Sequence, residues 1–429
     1  MSDVAVEGKK VAKLMLVEIN DDEAVAKGAA KQSNKFYNMY EQDDDTFIVE
    51  FGRVDVTCMQ KTYDMSKWDS TIKAKTRASK GYKDVTHLFS EEHTSNTSST
   101  STVSSIADSI VKKLMDQLQS YANHSIQQNY TVSAKSVTQA MIDEAQETID
   151  GLAGLISICA TGDAVNKELL HLYHIIPRKM GDVRSHLLSS ESSLNDRDLA
   201  DEAKKILADE QDTLDVMAGQ VSINDDKDDI KDDKPKDLLS ILGIKVEKGD
   251  SSEVAMIKAL MGPNANQFKA CYKVQNNNTQ KKFDKKLKSS DNKSTKMFFH
   301  GSRNQNWLNI ISTGLMIRPS CAQSTGSMFG DGIYFADKAQ KSIGYTSLRG
   351  SYWSNGSDSK AYLALFEVHT GEQKHIRRHD SSCYRLSKRV LDSEGTDSVF
   401  AHGGMDLRNN EYIVYDGNQC TISYLVEIG

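Results

Sequence analysis

Residues 326–345 read GSMFGDGIYFADKAQKSIGY, and this stretch decides how the C-terminal part of the chain is read. Gly326, Gly330 and Gly332 permit a tight loop, because glycine adopts backbone conformations that side chains forbid. The loop runs into residues 332–336, where Ile333, Tyr334 and Phe335 favour a strand. Ser342 and Tyr345 follow on the C-terminal side. Two tyrosine rings can sandwich a flat heteroaromatic ring, and a serine hydroxyl can bond its polar substituent. Taken alone, the same rings also read as aromatic core.

Upstream, Phe298-Phe299-His300-Gly301-Ser302 ends an apolar strand on a histidine and a glycine, whose bare backbone allows a ligand close approach. Downstream, Asn409-Asn410-Glu411-Tyr412-Ile413-Val414-Tyr415 opens a strand with an acid, suited to charge work if it lies in a cleft. A structural histidine and an exposed edge glutamate are the plain alternatives. Strands at 297–300, 332–336, 361–368, 411–415 and 420–427, with a helix near 251–261, predict an α+β domain over 238–429 with mainly antiparallel strands. No G-x-G-x-x-G follows a strand, so a Rossmann site is not supported.

Residues 106–222 predict an α-helical bundle. Ile106, Ile110, Leu114 and Leu118 form one stripe; Ile142, Ala145, Ile149 and Leu152 a second; Leu169, Leu172, Tyr173 and Ile176 a third, ended by Pro177; Leu199, Ala203, Ile206, Leu214 and Met217 a fourth. Residues 33–92 predict a small β-rich domain, with a strand at 47–54 and a helix carrying Trp68 and Ile72. Residues 1–32 read as a polar N-terminal tail or short helix. Residues 93–105, rich in Ser and Thr, read as a flexible linker, and 223–237 as an acidic, solvated linker. The basic stretch 281–296 (KKFDKKLKSSDNKSTK) reads as a solvated loop, with a nuclear signal as the alternative.

The chain has 429 residues, about three domains' worth. No apolar run of about 18 residues exists, which excludes a membrane helix. MSDVAVEGKK lacks the apolar core of a signal peptide, so secretion is not expected. Six cysteines lie far apart without a C-x-x-C pair, against a disulfide framework or cysteine-only zinc site. With 53 Lys+Arg against 60 Asp+Glu the net charge is −7, so a nucleic-acid partner must be held by a local patch.

Taken in order, HGSRNQNWLNIISTGL, GSMFGDGIYFADKAQKSIGY and NEYIVYD resemble the catalytic domain of the poly(ADP-ribose) polymerases, a His–Tyr–Glu family of ADP-ribosyltransferases. ELLHLYHIIPRKMG (168–181) resembles part of that family's helical regulatory domain. NKFYNMY, FIVEFGRVDV and KAKTRASKGYKDV resemble its WGR domain, with Phe51-Gly52-Arg53 where the family has Trp-Gly-Arg. The order resembles the small DNA-dependent members: WGR-like DNA-binding domain, helical regulatory domain, catalytic domain.

The resemblance implies that NAD+ is the substrate, with no metal, and that His300, Tyr334 and Glu411 are catalytic. His300, Gly301, Ser302, Arg318, Tyr334, Phe335, Ala336, Lys341, Ser342 and Tyr345 would bind NAD+. Phe51, Gly52, Arg53, Lys75, Arg77 and Lys80 would hold DNA strand breaks. It further implies transfer and elongation of ADP-ribose on protein acceptors, the enzyme itself included, in the DNA-damage response. The expected location is the nucleus in a eukaryotic cell, otherwise the cytoplasm with its DNA. The longer tail with which animal relatives help an accessory factor complete the site would be missing after Gly429, which bears on serine-directed modification. The alternatives are a DNA-end-binding scaffold with mono-ADP-ribosylation, or ADP-ribosylation of nucleic-acid ends.

Overall fold

The computed structural model describes residues 9–20, 25–26, 30–56, 58–89, 104–228, 237–317 and 328–429, without the side chains of 225–228. It divides into two compact units: the described parts of 1–100 with 125–221, and those of 101–124 with 222–429.

The first unit holds a five-stranded antiparallel sheet, built from β1 (Val11–Ile19), β2 (Gln32–Glu41), β3 (Thr46–Arg53), β4 (Met59–Asp64) and β5 (Lys83–Asp84) in the order β4-β3-β2-β1-β5. One face buries Ala12, Leu14, Tyr37, Met39, Phe47 and Val49 against Trp68, which opens helix α1 (Trp68–Thr76). Phe47 meets Trp68 edge-on at 5.1 Å, a favoured aromatic geometry.

The tail expected at 1–32 is therefore corrected: residues 11–19 are a strand lying between two others, paired along nine residues with β2. Leu14, Met15, Leu16 and Val17 are all buried. A strand covered on both faces shows a continuous apolar run, and flanking lysines and glutamates mask its length.

Helices α2 (Ser109–Asn129), α3 (Gln139–Ser157), α4 (Gly162–Ile175) and α5 (Arg197–Asp228) follow. The Thr138 hydroxyl caps α3 by accepting from the Met141 N–H at 3.2 Å. Its apolar stripe runs Met141, Ile142, Ala145, Ile149, Leu152, Ile156. Helix α4 stops at Ile175, and Ile176 is extended because the following Pro177 disfavours a helical neighbour. In α2 the buried face is Val111, Leu114, Met115 and Leu118, so Leu114 and Leu118 of the expected stripe are core, while Ile110 is exposed and Val111 takes its place. Helix α5 continues to Asp228 through what the sequence suggested was linker. Residues 229–236, and 93–103 of the other expected linker, lie outside the described residues.

Within the first unit the His174 imidazole reaches β1. The Val17 N–H donates to its Nε2 at 2.9 Å, and its Nδ1 donates to the Leu170 carbonyl at 2.6 Å. Both nitrogens are thus committed to the neutral ring. Burial pushes its pKa from 6.5 down to about 4, with His171 and Lys83 pushing the same way against the Leu170 bond. A depressed histidine stabilises the fold fully above its unfolded pKa, and that contribution is lost as pH falls through 6.5 toward 4. The shift is worth about 3 kcal/mol. Chemical unfolding followed from pH 7 to pH 4 should show this acid loss, and His174→Gln should flatten it.

The second unit contains α6 (Leu238–Ile241), β6 (Ile244–Lys248), α7 (Ser251–Met261), β7 (Phe268–Asn276), α8 (Asn277–Ser289), β8 (Thr295–Gly301), α9 (Trp307–Thr313), β9 (Ile333–Phe335), α10 (Ala339–Ile343), β10 (Ala361–His369), β11 (Gln373–Ile376), α11 (Lys388–Glu394), β12 (Ser398–Ala401), β13 (Glu411–Val414) and β14 (Cys420–Ile428). The strands make two sheets, β6-β7-β14-β10-β8 and β11-β12-β13-β9, antiparallel except for the β11–β12 pair. Phe299 and Ala336 exchange backbone hydrogen bonds at 2.8 and 3.0 Å, joining the end of β8 to β9. All five expected strands are present. The basic stretch expected as a loop is helical to Ser289, because Phe283 is buried and its lysines lie on the solvent side.

Candidate active site

His300 and Gly301 end β8, and the β8–β9 junction sets them beside Tyr334. The His300 Nδ1 donates to the Tyr334 carbonyl at 3.1 Å, which leaves Nε2 as an acceptor. Trp307, Phe335 and Phe366 meet the imidazole edge-on at 6.5, 5.8 and 6.0 Å. This burial pushes the imidazole pKa down and keeps the ring neutral.

Gly301 lies directly against α10. A Cβ there would sit 1.9 Å from the Ser342 carbonyl oxygen, so only glycine lets the strand and helix backbones approach this closely. Ser342 is buried on that helix. Tyr334 is anchored by its own loop: its hydroxyl donates to the Gly330 carbonyl at 2.8 Å and accepts from the Phe329 N–H at 3.0 Å. Gly330 has φ +72°, and a Cβ would lie 2.0 Å from the Leu386 carbonyl oxygen. Burial, with Asp331 and Tyr345 adding, pushes the Tyr334 phenol above its usual range. Tyr345 thus lies within electrostatic reach of Tyr334, and its own phenol is raised by burial.

Glu411 opens β13, whose Ile413 pairs with Tyr334. It is 5% exposed. Its Oε1 accepts from the Lys341 ammonium, and among the described residues its buried Oε2 has no hydrogen-bond partner. Burial pushes Lys341 down to about 8, with Asp337 opposing. Asp337 Oδ2 accepts from the Asn410 side-chain amide at 2.7 Å and from the Tyr412 hydroxyl at 3.4 Å. The structure thus links His300, Gly301, Tyr334, Lys341, Ser342 and Glu411 through these contacts, with Tyr345 nearby. Phe335 and Ala336 are buried, and the Ser302 hydroxyl accepts from Asn306 at 3.1 Å. Arg318 lies outside the described residues. The sequence reading did not single out Asp337 and Asn410; the four-residue step from Asp337 to Lys341 and the position of Asn410 beside Glu411 were the available signals.

In the first unit, Lys75 sits over the Tyr37 ring at 3.7 Å and the Tyr82 ring at 5.2 Å. Burial lowers its pKa, with Lys80 and Lys35 adding repulsion. Arg53 pairs with Lys35 across β2 and β3, and Phe51 packs on Tyr37 at 5.6 Å. Gly52 is half-buried; Arg53, Arg77 and Lys80 are exposed.

A family model of the poly(ADP-ribose) polymerase catalytic domain matches residues 251–429. The chain is 31% identical over 160 residues to a poly(ADP-ribose) polymerase-like protein, 100L, of Invertebrate iridescent virus 6, covering 37% of this chain and 83% of the viral one. It is 28% identical over 212 residues to poly(ADP-ribose) polymerase 2 of Zea mays, covering 42% of this chain and 31% of the maize one. It is 31% identical over 157 residues to poly(ADP-ribose) polymerase 2 of Homo sapiens, covering 31% of this chain and 26% of the human one.

The family model and these relatives make the chain an NAD+ ADP-ribosyltransferase, with NAD+ as its substrate. The chain belongs to the poly(ADP-ribose) polymerase family. No helix among the described residues is long and apolar enough to cross a membrane. Among the described residues no group of three or more His, Cys, Asp or Glu side chains is placed to hold a metal ion.

Proposed function

We propose that the protein is a DNA-break-activated enzyme that transfers ADP-ribose from NAD+ to protein acceptors, itself included, and elongates it into polymer. Gly301 offers its N–H and C=O to the nicotinamide carboxamide, Ser342 donates to the carboxamide oxygen, and Tyr334 and Tyr345 pack against the ring. His300 Nε2 accepts from a ribose hydroxyl. As the C1′–nicotinamide bond breaks, positive charge develops on the sugar and nicotinamide leaves neutral. Glu411 stabilises that charge and takes the proton of the attacking hydroxyl. The observation that carries the reading is the buried Glu411 carboxylate, held at one oxygen by Lys341, which burial pushes down to about 8, and with no partner for its second oxygen among the described residues. Such perturbed groups cluster at functional sites.

The cluster of Lys75, Lys80, Lys35 and Arg53 supports DNA binding through phosphates, a contact that is independent of sequence and weakens with salt. Phe51, which is partly exposed and packs at a tilt on Tyr37, would stack on a terminal nucleotide. We assign the five-stranded sheet domain, which takes in residues 11–19 together with the expected 33–92, to a WGR-like domain, the helices from 106 to 228 to a regulatory helical domain and 238–429 to the catalytic domain, and place the enzyme with DNA, in the nucleus of a eukaryotic cell. NAD+ consumption with and without a short 5′-phosphorylated duplex tests the activation. Stimulation by DNA is expected, and equal rates would refute it.

The helical domain acts as a lid that opens by local unfolding. In α3 a Cβ on Gly151 or Gly154 would meet nothing within 4 Å, so these glycines do not serve close packing. Alanine should stabilise the helix by about 1 kcal/mol at each site. Without DNA, turnover should fall about five-fold for one substitution and about thirty-fold for both. Activity at saturating DNA should be retained. Unchanged basal turnover in a thermally stabilised double variant would refute the lid.

A further inference from the structure

Tyr345 stacks on another ring that has no part in the reading above. Trp353, eight residues on, lies nearly parallel to it, with centroids 6.1 Å apart and planes inclined by 18°. Tyr352 meets the indole edge-on at 4.7 Å. These rings are not in the core: Trp353 is 46% exposed and Tyr352 78%.

The segment that presents the indole is tied down at many points. The Trp353 N–H donates to the Gly344 carbonyl at 2.9 Å, and the Ser354 N–H to the same oxygen at 3.3 Å. The Ser351 and Thr346 hydroxyls both donate to the Ile343 carbonyl at 2.8 Å, and Ser354 donates to the Thr346 carbonyl. Arg349 and Asp358 close the base of the loop, the Arg349 N–H reaching the Asp358 carbonyl at 2.8 Å and the Asp358 N–H the Ser347 carbonyl at 2.9 Å. The backbone that carries Ser342 and Tyr345 is therefore the same backbone that fixes Trp353. At Gly344 the fit is close: a Cβ would sit 3.1 Å from Trp353 Cδ1.

A tyrosine ring beside a pocket has a broad choice of ring plane, and an offset parallel neighbour narrows that choice. We propose that Trp353 is a positioning residue that holds the plane of the Tyr345 ring, so that a nicotinamide ring entering on the other face meets a preformed stacking surface. This rests on the assignment of Tyr345 to the nicotinamide. Trp353 acts on binding and leaves the chemistry to other groups.

The test is a double-mutant cycle on the full chain, read by calorimetric titration with benzamide, which carries the carboxamide of nicotinamide on a six-membered aromatic ring of the same shape, without the sugar. Trp353→Ala should weaken benzamide about three- to ten-fold and raise KM for NAD+ by a similar factor, with kcat at saturating NAD+ within about two-fold. Trp353→Phe should recover benzamide affinity to within about two-fold of the parent. Gly344→Ala, which displaces the indole without removing it, should weaken benzamide in the same direction and serves should Trp353→Ala fold poorly. In a Tyr345→Ala background the loss caused by Trp353→Ala should vanish. Benzamide affinity unchanged in both Trp353→Ala and Gly344→Ala, or a loss that persists undiminished without Tyr345, would overturn the proposal. Tyr345→Ala leaving benzamide affinity unchanged would instead remove the nicotinamide assignment, and the proposal with it.

Discussion

Glu411→Gln is expected to abolish long polymer while a residue of NAD+ hydrolysis or single transfer survives. Glutamine matches the carboxylate in shape and keeps an oxygen for Lys341, so the strand and its pairing with β9 should be undisturbed. What it removes is negative charge at a site only 5% exposed, where water cannot replace it. Polymer growth asks more of this residue than cleavage does. In the mechanism proposed above it answers the positive charge on the sugar and also accepts the proton of the attacking hydroxyl. Loss of one positioned charge or proton acceptor costs about 10²- to 10⁴-fold. Elongation should fall by at least about 10²-fold, and nicotinamide release by less. Polymer length on a sequencing-type gel, beside nicotinamide release by chromatography, separates the two. Undiminished long chains would mean that Glu411 does not have this role.

Gly301→Ala is expected to be nearly as severe for a steric reason. The added Cβ would lie 1.9 Å from the Ser342 carbonyl oxygen and 2.7 Å from its carbon. Both are backbone atoms, so no flexible side chain can swing aside. Either β8 or α10 must move, and these carry His300 on one side and Lys341 with Ser342 on the other. A misplacement of about 1 Å costs about 10²-fold in rate, and overpacking of this kind costs about 1–3 kcal/mol in stability. Steady-state kinetics with thermal unfolding should show both losses. Parental kcat/KM in the folded variant would place the nicotinamide elsewhere.

The catalytic half was legible because its strands are aromatic or β-branched and bounded by glycine, as at Ile333–Phe335 and Glu411–Val414. Strands such as β11 and β12, four residues each, are too short to carry a pattern. Strand β1 was lost for the opposite reason, since both its faces are covered and its alternation disappears. The lysine-rich α8 was taken for a loop because one buried ring, Phe283, is a weak signal in a run of charge. At the site, residue types indicated the aromatic walls and the acid. The Lys341–Glu411 contact spans 70 residues of chain, and the anchoring of Tyr334 by Gly330 and Phe329 depends on a turn; neither has a local pattern to reveal it.

The most direct measurement of the central claim is the fate of NAD+ labelled in its adenylate moiety, incubated with the purified chain in the presence and absence of a 5′-phosphorylated duplex. The site described here predicts free nicotinamide in step with label on the protein, as a ladder that DNA strengthens and Glu411→Gln collapses to its lowest rungs. Absence of nicotinamide release and of labelled protein in both conditions would contradict it.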